Sequence, residues 1–253
     1  MKKNPRIALA QIKYFDLDEK HNLEKILHFI REAKKKNADI VCFPETCMLK
    51  EKYLEFNHGF LKEIRNECKN NKIWCIITED FMFKSKLYNM SILIDRQGKI
   101  RRKYKKIKTY AERGVTPGKK VQVIKTDFGK IGLAICWDLA FPALFKSMKK
   151  AGAQIVFCPA QWAYEKKAYD KNHKKLELKL LKSLLRTRAF ENLFFIAFCS
   201  PYRNQKDLIC YSAVVSPHRI IKEIFDKEGV IFADLHIADI KKFERIYPGK
   251  KQD

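Results

Sequence analysis

The chain has 253 residues and a formal net charge of +24, and no Ser-, Gly- or Pro-rich linker divides it, so we predict a single domain over residues 1–253. Lys or Arg interrupts every apolar run before it reaches the roughly 18 to 20 residues that a membrane helix needs, so no membrane partner is expected. The excess charge is mostly lysine spread along predicted helices without interleaved aromatic residues, which is typical of a solvated surface and does not favour a nucleic-acid partner. We predict a soluble, cytoplasmic protein.

The first predicted elements form a βαβ unit. A short apolar strand, RIALAQIKY, and a second one, ADIVCFPE, flank a segment in which Leu23, Ile26, Leu27 and Ile30 recur at the spacing of one helical face. The order of helix and then buried strand repeats twice, with FLKEIRNECKNNK before IWCIITEDFMF and ALFKSMKKAGAQ before IVFCPAQW. This alternation predicts the α/β class.

Other segments predict hairpins. YNMSILIDRQGKIRRKY and VQVIKTDFGKIGLAIC are expected to turn at residues 95–98 and 127–129, and residues 212–236 predict further strands. Mixed sheets, each covered by helices on one face, follow from this pattern. The longest irregular segment, KTYAERGVTPGKK, precedes the strand that leads to Cys136, and a site loop is expected there.

The cysteines and histidines do not predict a metal site. The eight cysteines are scattered, several lie inside strand-like apolar runs, and no CxxC pair occurs. The six histidines show no ligand-like spacing with cysteine or carboxylate. We therefore predict reduced thiols and no metal.

Three residues are candidates for nucleophilic catalysis, and each also has an ordinary structural explanation. Cys136 follows an apolar strand and is either a reactive thiol or a small core residue. Glu45 ends the strand ADIVCFPE and is either a base or a cap or surface charge. Lys106 lies among other lysines in RRKYKKIK, and composition does not distinguish it from them. A cysteine nucleophile would need such a base and such a cation.

The segments around these three residues resemble the signature segments of the nitrilase superfamily of carbon–nitrogen hydrolases. FPE ends at Glu45, YKKIK contains Lys106, and GLAICWD contains Cys136, in the order and at the separations usual for that superfamily. GAQIVFCPAQW, LLRTRAFENLFFIAFC and FERIYP continue the likeness, which covers essentially the whole chain.

The resemblance implies a four-layer αββα sandwich that pairs into an αββααββα homodimer or a higher oligomer. It implies that Cys136 is the nucleophile, that Glu45 is the general base, and that Lys106 stabilises the tetrahedral intermediate together with the backbone N–H of Trp137. It implies no metal or organic cofactor. The expected reaction forms a thioester, releases ammonia or an amine, and ends with hydrolysis by water.

The resemblance also gives expectations for supporting residues. Glu112 is expected to orient the substrate or Lys106, with an ordinary loop charge as the alternative. Trp162 is expected either to line the substrate pocket or to pack in the core. Asp138 is expected to hold the turn after the nucleophile, and Arg188 belongs to a helix whose polar residues brace the site.

Four residues depart from the pattern of the superfamily. Ala140 and Ala143 stand where charges are usual, and Cys210 and Arg219 replace common glycines, which puts the substrate and the local hairpin geometry in doubt. The leading hypothesis is a hydrolase of a small linear amide or N-carbamoyl compound. Nitrile hydrolysis and a non-enzymatic basic binding protein on the same fold are the alternatives.

Overall fold

The structure of the chain is a computed structural model that describes residues 4–14, 18–48, 53–110, 112, 114–203 and 207–248. Strands and helices alternate along this part of the chain. The strands are β1 (Arg6–Gln11), β2 (Ile40–Glu45), β3 (Leu54–Glu55), β4 (Trp74–Phe83), β5 (Lys86–Ile94), β6 (Ile100–Lys105), β7 (Gln122–Lys125), β8 (Lys130–Leu133), β9 (Ile155–Pro159), β10 (Phe195–Cys199), β11 (Tyr211–Val215), β12 (Ile220–Phe225) and β13 (Gly229–Asp234). The helices are α1 (Glu19–Lys35), α2 (Gly59–Asn71), α3 (Pro142–Lys150), α4 (His173–Asn192) and α5 (Ala238–Ile246).

The first sheet has the strand order β13-β1-β2-β4-β5-β6, with β3 paired to β4. β1, β2 and β4 run parallel because α1 and α2 carry the chain back between them. β13 pairs with β1, β5 with β4 and β6 with β5 in antiparallel fashion. β2 therefore delivers its last residue, Glu45, to the carboxyl-terminal edge of the parallel strands.

The second sheet has the order β12-β11-β10-β9-β8-β7. β8, β9 and β10 are parallel and are connected through α3 and α4, whereas β7 with β8 and β11 with β12 are antiparallel hairpins. The predicted mixed sheets are confirmed. The segment after β8, which contains Cys136, leaves this sheet at the same edge at which β2 ends in the first.

The two sheets pack face to face, with helices on the outer face of each. Leu9 and Cys42 of the first sheet share one buried cluster with Phe157 and Phe198 of the second, and the Cys199 thiol donates across the interface to the Cys42 carbonyl at 3.2 Å. This cluster extends to α3 and α4. A second cluster lies between the first sheet and the helices α1 and α2. The predicted αββα sandwich is confirmed.

The predicted turns lie where the sequence places them. Gly98 closes the β5–β6 hairpin by donating its N–H to the Asp95 carbonyl at 2.9 Å, and its φ of +71° is one that glycine adopts readily. In the β7–β8 hairpin the Thr126 N–H donates to the Gly129 carbonyl at 2.8 Å. All eight cysteines are free, which agrees with the prediction of reduced thiols.

Two of the four departures occur in this scaffold and fit it without strain. Neither Cys210 nor Arg219 has a positive φ, so neither position requires glycine. The Cys210 thiol donates to the Arg203 carbonyl at 3.1 Å. Arg219 closes the β11–β12 turn, where its carbonyl accepts the Ser216 N–H at 2.9 Å. The doubt about hairpin geometry is thereby removed.

Candidate active site

Side chains from three strand ends meet between the sheets. Glu45 is the last residue of β2, Lys106 follows β6, and Cys136 begins a short 3-10 helix, Cys136–Ala140, after β8. Lys106 Nζ lies 2.9 Å from Glu45 Oε1. Gln161 connects the other two, because its N–H donates to Glu45 Oε2 at 2.9 Å and its carbonyl accepts from the Cys136 thiol at 3.7 Å. The structure thus brings together the three residues that the sequence predicts to be catalytic.

Lys106 is buried as a charged group. Its side chain is 1% exposed, and it contacts the carboxylates of both Glu45 and Glu112. Burial alone lowers the pKa of Lys106, but the attraction of the carboxylates of Glu45 and Glu112 outweighs burial, so the pKa is raised. Lys106 therefore stays an ammonium group and can stabilise negative charge that develops beside it.

Cys136 occupies a strained backbone position. Its φ is +44°, in the left-handed region that residues other than glycine rarely adopt, at a cost on the order of 1–3 kcal/mol. Burial, followed by the Glu45 carboxylate, raises the pKa of the Cys136 thiol well above its ordinary value, and the opposing effects of Lys106 and of the Gln161 hydrogen bond are smaller. The resting thiol is therefore protonated and needs a base before it can attack.

Hydrogen bonds to both the side chain and the backbone carbonyl fix the position of Glu45. Asn89, on β5, donates its side-chain amide to Glu45 Oε1 at 2.9 Å, so that oxygen accepts from both Asn89 and Lys106. The Tyr14 hydroxyl donates to the Glu45 carbonyl at 2.6 Å. The next residue, Thr46, has a φ of +48°, which turns the chain sharply after the carboxylate. Glu45 is neither a helix cap nor a surface charge, because it is 5% exposed.

Glu112 lies against Lys106 and is not an isolated loop charge. One of its carboxylate oxygens accepts from Lys106 Nζ, and the other accepts from the Tyr110 N–H. The Glu112 side chain is 25% exposed, whereas that of Glu45 is nearly buried. Lys106 is therefore held between an inner and an outer carboxylate.

Comparison with known proteins assigns a family to this site. The sequence model of the family described as carbon-nitrogen hydrolase matches residues 6–245, which is most of the chain. The chain belongs to the carbon-nitrogen hydrolase family. The site between the two sheets is accordingly the candidate active site of a hydrolase.

Relatives of this hydrolase include two omega-amidases. It is 28% identical to omega-amidase NIT3 of Saccharomyces cerevisiae, over 98% of this chain and 92% of that protein. It is 27% identical to human omega-amidase NIT2, over 98% and 95% respectively. The crystal structure of S. cerevisiae Nit3, described as a member of branch 10 of the nitrilase superfamily, matches with a TM-score of 0.84 at 27% identity, over 99% of this chain and 96% of that one. The predicted membership of the nitrilase superfamily, on its amidase-like side, is confirmed.

Three aromatic rings pack in a row beside Cys136. The Trp137 ring lies 4.8 Å from the Tyr110 ring and 5.9 Å from the Trp162 ring, between centroids. Trp162 is 3% exposed, and its indole N–H donates to Glu177 at 2.6 Å. Of the two expectations for Trp162, core packing is the one that this burial favours. Trp137, the residue after Cys136, is half-buried and lies between Trp162 and the exposed Tyr110.

Asp138 and Arg188 brace the turn that carries the nucleophile. Asp138 accepts the Tyr104 hydroxyl at 2.7 Å and the backbone N–H groups of Ile135 and Lys108. Arg188, on α4, donates to the Leu139 carbonyl at 3.1 Å. Both structural roles agree with expectation.

The other two departures lie beside this brace. Arg188 also donates to the Ala140 carbonyl at 3.4 Å, so an arginine from α4 contacts the backbone of the position at which other members often carry a charged side chain. Ala143 lies in the first turn of α3, where it lines a cavity with Pro142 and the α3 lysines. Nothing in the structure explains the choice of alanine at residue 143.

Two residues of the hydrolase site were not predicted from the sequence. Gln161 touches both Glu45 and Cys136, and Asn89 orients Glu45. A signal for Gln161 exists, since it is the second residue after β9 and therefore lies at the same sheet edge as Cys136. Asn89 lies in mid-strand, and no local pattern distinguishes it.

In the described ranges, no group of three or more His, Cys, Asp or Glu side chains is arranged to hold a metal ion. Among the same residues, no helix is long and apolar enough to cross a membrane.

Proposed function

We propose that this hydrolase cleaves a small linear amide or N-carbamoyl compound through a thioester on Cys136, with release of ammonia or an amine. One observation carries the proposal. A protonated lysine lies between the carboxylates of Glu45 and Glu112, and Glu45 also interacts with the thiol of Cys136, which lies on a strained turn. This arrangement supplies a nucleophile, a base and an oxyanion partner within one buried site.

In the first half of the reaction, Cys136 Sγ attacks the carbonyl carbon while its proton passes to Glu45. The electron pair of the carbonyl double bond moves to the oxygen. When this intermediate collapses, the C–N bond breaks and the leaving amine takes the proton from Glu45, so a thioester remains on Cys136. Because the pKa of the resting thiol is raised, the attack requires Glu45 to take the thiol proton.

In the second half, water attacks the thioester carbon and gives a proton to Glu45. Collapse breaks the C–S bond, and Glu45 returns the proton to the Cys136 sulfur as the acid leaves. In both halves the oxyanion is stabilised by the Lys106 ammonium and by the Trp137 N–H. Trp137 is in the first turn of the 3-10 helix, where N–H groups have no partner within the helix.

The chemistry of Glu112 favours amides over nitriles. A second carboxylate next to Lys106 can accept a hydrogen bond from the NH₂ group of a substrate amide. A nitrile group has no N–H and cannot donate such a hydrogen bond. The omega-amidases among the relatives support a terminal amide of a small linear acid as the substrate. Nitrile hydrolysis is the second candidate reaction.

A non-enzymatic role on the same fold is less well supported. The burial of Lys106 with two carboxylates and the positive φ of Cys136 both lower the stability of the folded state. A protein that only binds a partner through its basic surface has no physical reason to retain that cost. The prediction that nucleic acid is not a partner stays a prediction.

We also propose that the hydrolase forms a homodimer through the outer face of α3 and α4. Leu176, Leu180 and Phe190 on α4 are large apolar side chains that are 37 to 48% exposed, which supports a covered face. Light scattering on the purified chain tests the dimer. The single domain and the cytoplasmic location stay predictions.

The activity is tested by measuring ammonia release from short ω-amides, ureido compounds and nitriles. We expect turnover of at least one amide or ureido compound. The Cys136→Ala variant is expected to lose about 10³-fold or more of that rate, because the residues of such a site act as a unit. Cys68→Ala, which changes a buried thiol on α2 in the cluster between the first sheet and the helices α1 and α2, is the matched control.

A covalent intermediate gives a second readout. Hydroxylamine should trap the acyl group of a turned-over amide as a hydroxamate with the wild-type enzyme and not with Cys136→Ala. Unchanged turnover by Cys136→Ala would refute the mechanism, and turnover of nitriles alone would refute the amide assignment.

A further inference from the structure

A cavity of about 400 Å³ lies on the outer face of β5 and β6, on the opposite side of the first sheet from the catalytic residues. Side chains alternate between the two faces of a strand. On β6, Tyr104 points into the core between the sheets, so Lys103 and Lys105 point to the other face. The cavity is lined by five lysines: Lys86, Lys103, Lys105, Lys119 and Lys120.

Among the residues that the structure describes, no acidic side chain neutralises these lysines. No Asp or Glu lines the cavity, and none of the five forms an ion pair with another residue in the described part of the chain. Burial, and then repulsion by the ammonium groups of Lys84 and Lys105, lowers the pKa of Lys103. The cavity therefore concentrates positive charge that a bound anion would relieve.

Aromatic rings fix two of the ammonium groups. Lys103 Nζ lies 3.7 Å from the centroid of the Phe56 ring and 4.4 Å from that of Phe83. Lys105 Nζ lies 3.3 Å from the centroid of Tyr88, which also lines the cavity. Such contacts restrict long, otherwise mobile side chains, so less entropy is lost when a ligand binds.

The loop that supplies the remaining wall is anchored to both strands. The Thr116 N–H donates to the Leu87 carbonyl at 2.8 Å, and the Gly118 N–H donates to the Lys106 carbonyl at 2.7 Å. A Cβ at Gly118 would overlap the Lys105 carbonyl oxygen, so only glycine lets the loop approach this closely. This close approach places Lys119 and Lys120 beside the lysines of β6.

We propose that this cavity binds a compact polyphosphate: a short chain of phosphoryl groups, as in inorganic triphosphate or the triphosphate of a nucleotide. Five ammonium groups around one cavity match several closely spaced phosphoryl charges, and lysine binds phosphate as a point charge. The volume of the cavity is that of a small-molecule site.

The proposal is tested by calorimetric titration of the full chain with inorganic triphosphate, ATP and inorganic phosphate at a fixed salt concentration near 0.15 M. We expect triphosphate and ATP to bind and inorganic phosphate to bind at least tenfold more weakly. In a Lys103→Gln, Lys105→Gln variant, triphosphate affinity should fall about tenfold or more, since charge-assisted contacts are lost. Lys241→Gln with Lys242→Gln removes the same charge from exposed positions on α5 and should change affinity less than twofold.

Thermal unfolding reports whether the Lys103→Gln, Lys105→Gln variant folds. If it does not, the Lys119→Gln, Lys120→Gln variant, with both changes in the loop, provides a second test of the cavity. Equal losses in the cavity and α5 variants would overturn the proposal, because they would indicate non-specific attraction to a basic protein. Absence of triphosphate binding would overturn it as well. Tighter binding of a random 20-nucleotide single strand than of triphosphate would overturn the compact ligand in favour of nucleic acid.

Discussion

Lys105 and Lys106 are neighbours in the chain, yet they lie on opposite faces of the first sheet and in opposite electrostatic surroundings. Lys106 is buried between Glu45 and Glu112. Lys105 is half-buried, lies over the Tyr88 ring among other ammonium groups, and forms no ion pair with any described residue. A buried charge is tolerated only when it is paired, whereas a charge that keeps contact with water can remain beside like charges. The inner face of the first sheet, which faces the second sheet, therefore holds the Lys106 cation for chemistry. The outer face, which carries Lys105 and the other lysines of the cavity, leaves its cations available to a ligand.

The same substitution at both lysines gives the largest expected contrast. Lys106→Met leaves two carboxylates without their shared cation, so we expect the free energy of unfolding to fall by about 3 to 5 kcal/mol. Lys105→Met keeps the apolar stem and removes one of several repelling charges, so a change within about 0.5 kcal/mol is expected. Urea unfolding of both variants at neutral pH measures the difference. Equal losses would mean that the burial of Lys106 does not determine its contribution.

The titration of Asp80 tests whether Lys106 fully balances the negative charges on the inner face of the first sheet. Burial, and then repulsion by Glu45, raises the pKa of Asp80 to about 6, although Lys106 opposes this. The folded state therefore holds the Asp80 proton more tightly than the unfolded state does. The stability that this proton contributes is fully present below about pH 4 and is lost as the pH rises through 6. We expect Asp80→Asn to be more stable than the wild type by about 2 kcal/mol at pH 8 and equal to it near pH 4.

Urea unfolding at the two pH values measures this difference. Asp170→Asn, at an exposed position, is the matched control and should shift stability little at either pH. A pH-independent effect of Asp80→Asn would mean that the titration of this carboxyl does not act on folding. It would also imply that the negative charges of the inner face are balanced without it.

The catalytic residues on the inner face could be predicted from the sequence because the main ones lie at the ends of strands. Glu45 and Cys136 follow apolar runs, and the carboxyl ends of parallel strands in packed sheets meet at one edge. The segments around them also resemble a known family. Asn89 and Asp80 could not be found in this way. They face the site because β4 and β5 pair them directly, and strand register is set by packing that no local pattern reveals.

The outer face was missed for a different reason. In the sequence, the lysines of RRKYKK look like any solvated charge run, and the expectation of a featureless basic surface followed. The cavity arises because Gly118 lets a loop 13 residues further along approach Lys105 closely. Whether a run of lysines lies on an open surface or around a cavity is decided by such tertiary contacts, which composition does not contain.

Glu112 gives the smallest and most discriminating test of the inner face. Glu112→Gln keeps an oxygen that can accept from Lys106 and removes the outer charge, so Lys106 is drawn toward Glu45 and away from the oxyanion. We expect kcat for ammonia release to fall about tenfold with KM little changed, because the effect acts on transition-state stabilisation. A rise in KM with kcat unchanged would instead show that Glu112 binds the ground-state substrate.

Glu165→Gln, at an exposed carboxylate 3.3 Å from the Tyr110 hydroxyl, removes the same charge without touching Lys106 and should leave both constants unchanged. If Glu112→Gln behaves like Glu165→Gln, Glu112 is an ordinary loop charge, and the inner carboxylate alone holds the catalytic lysine.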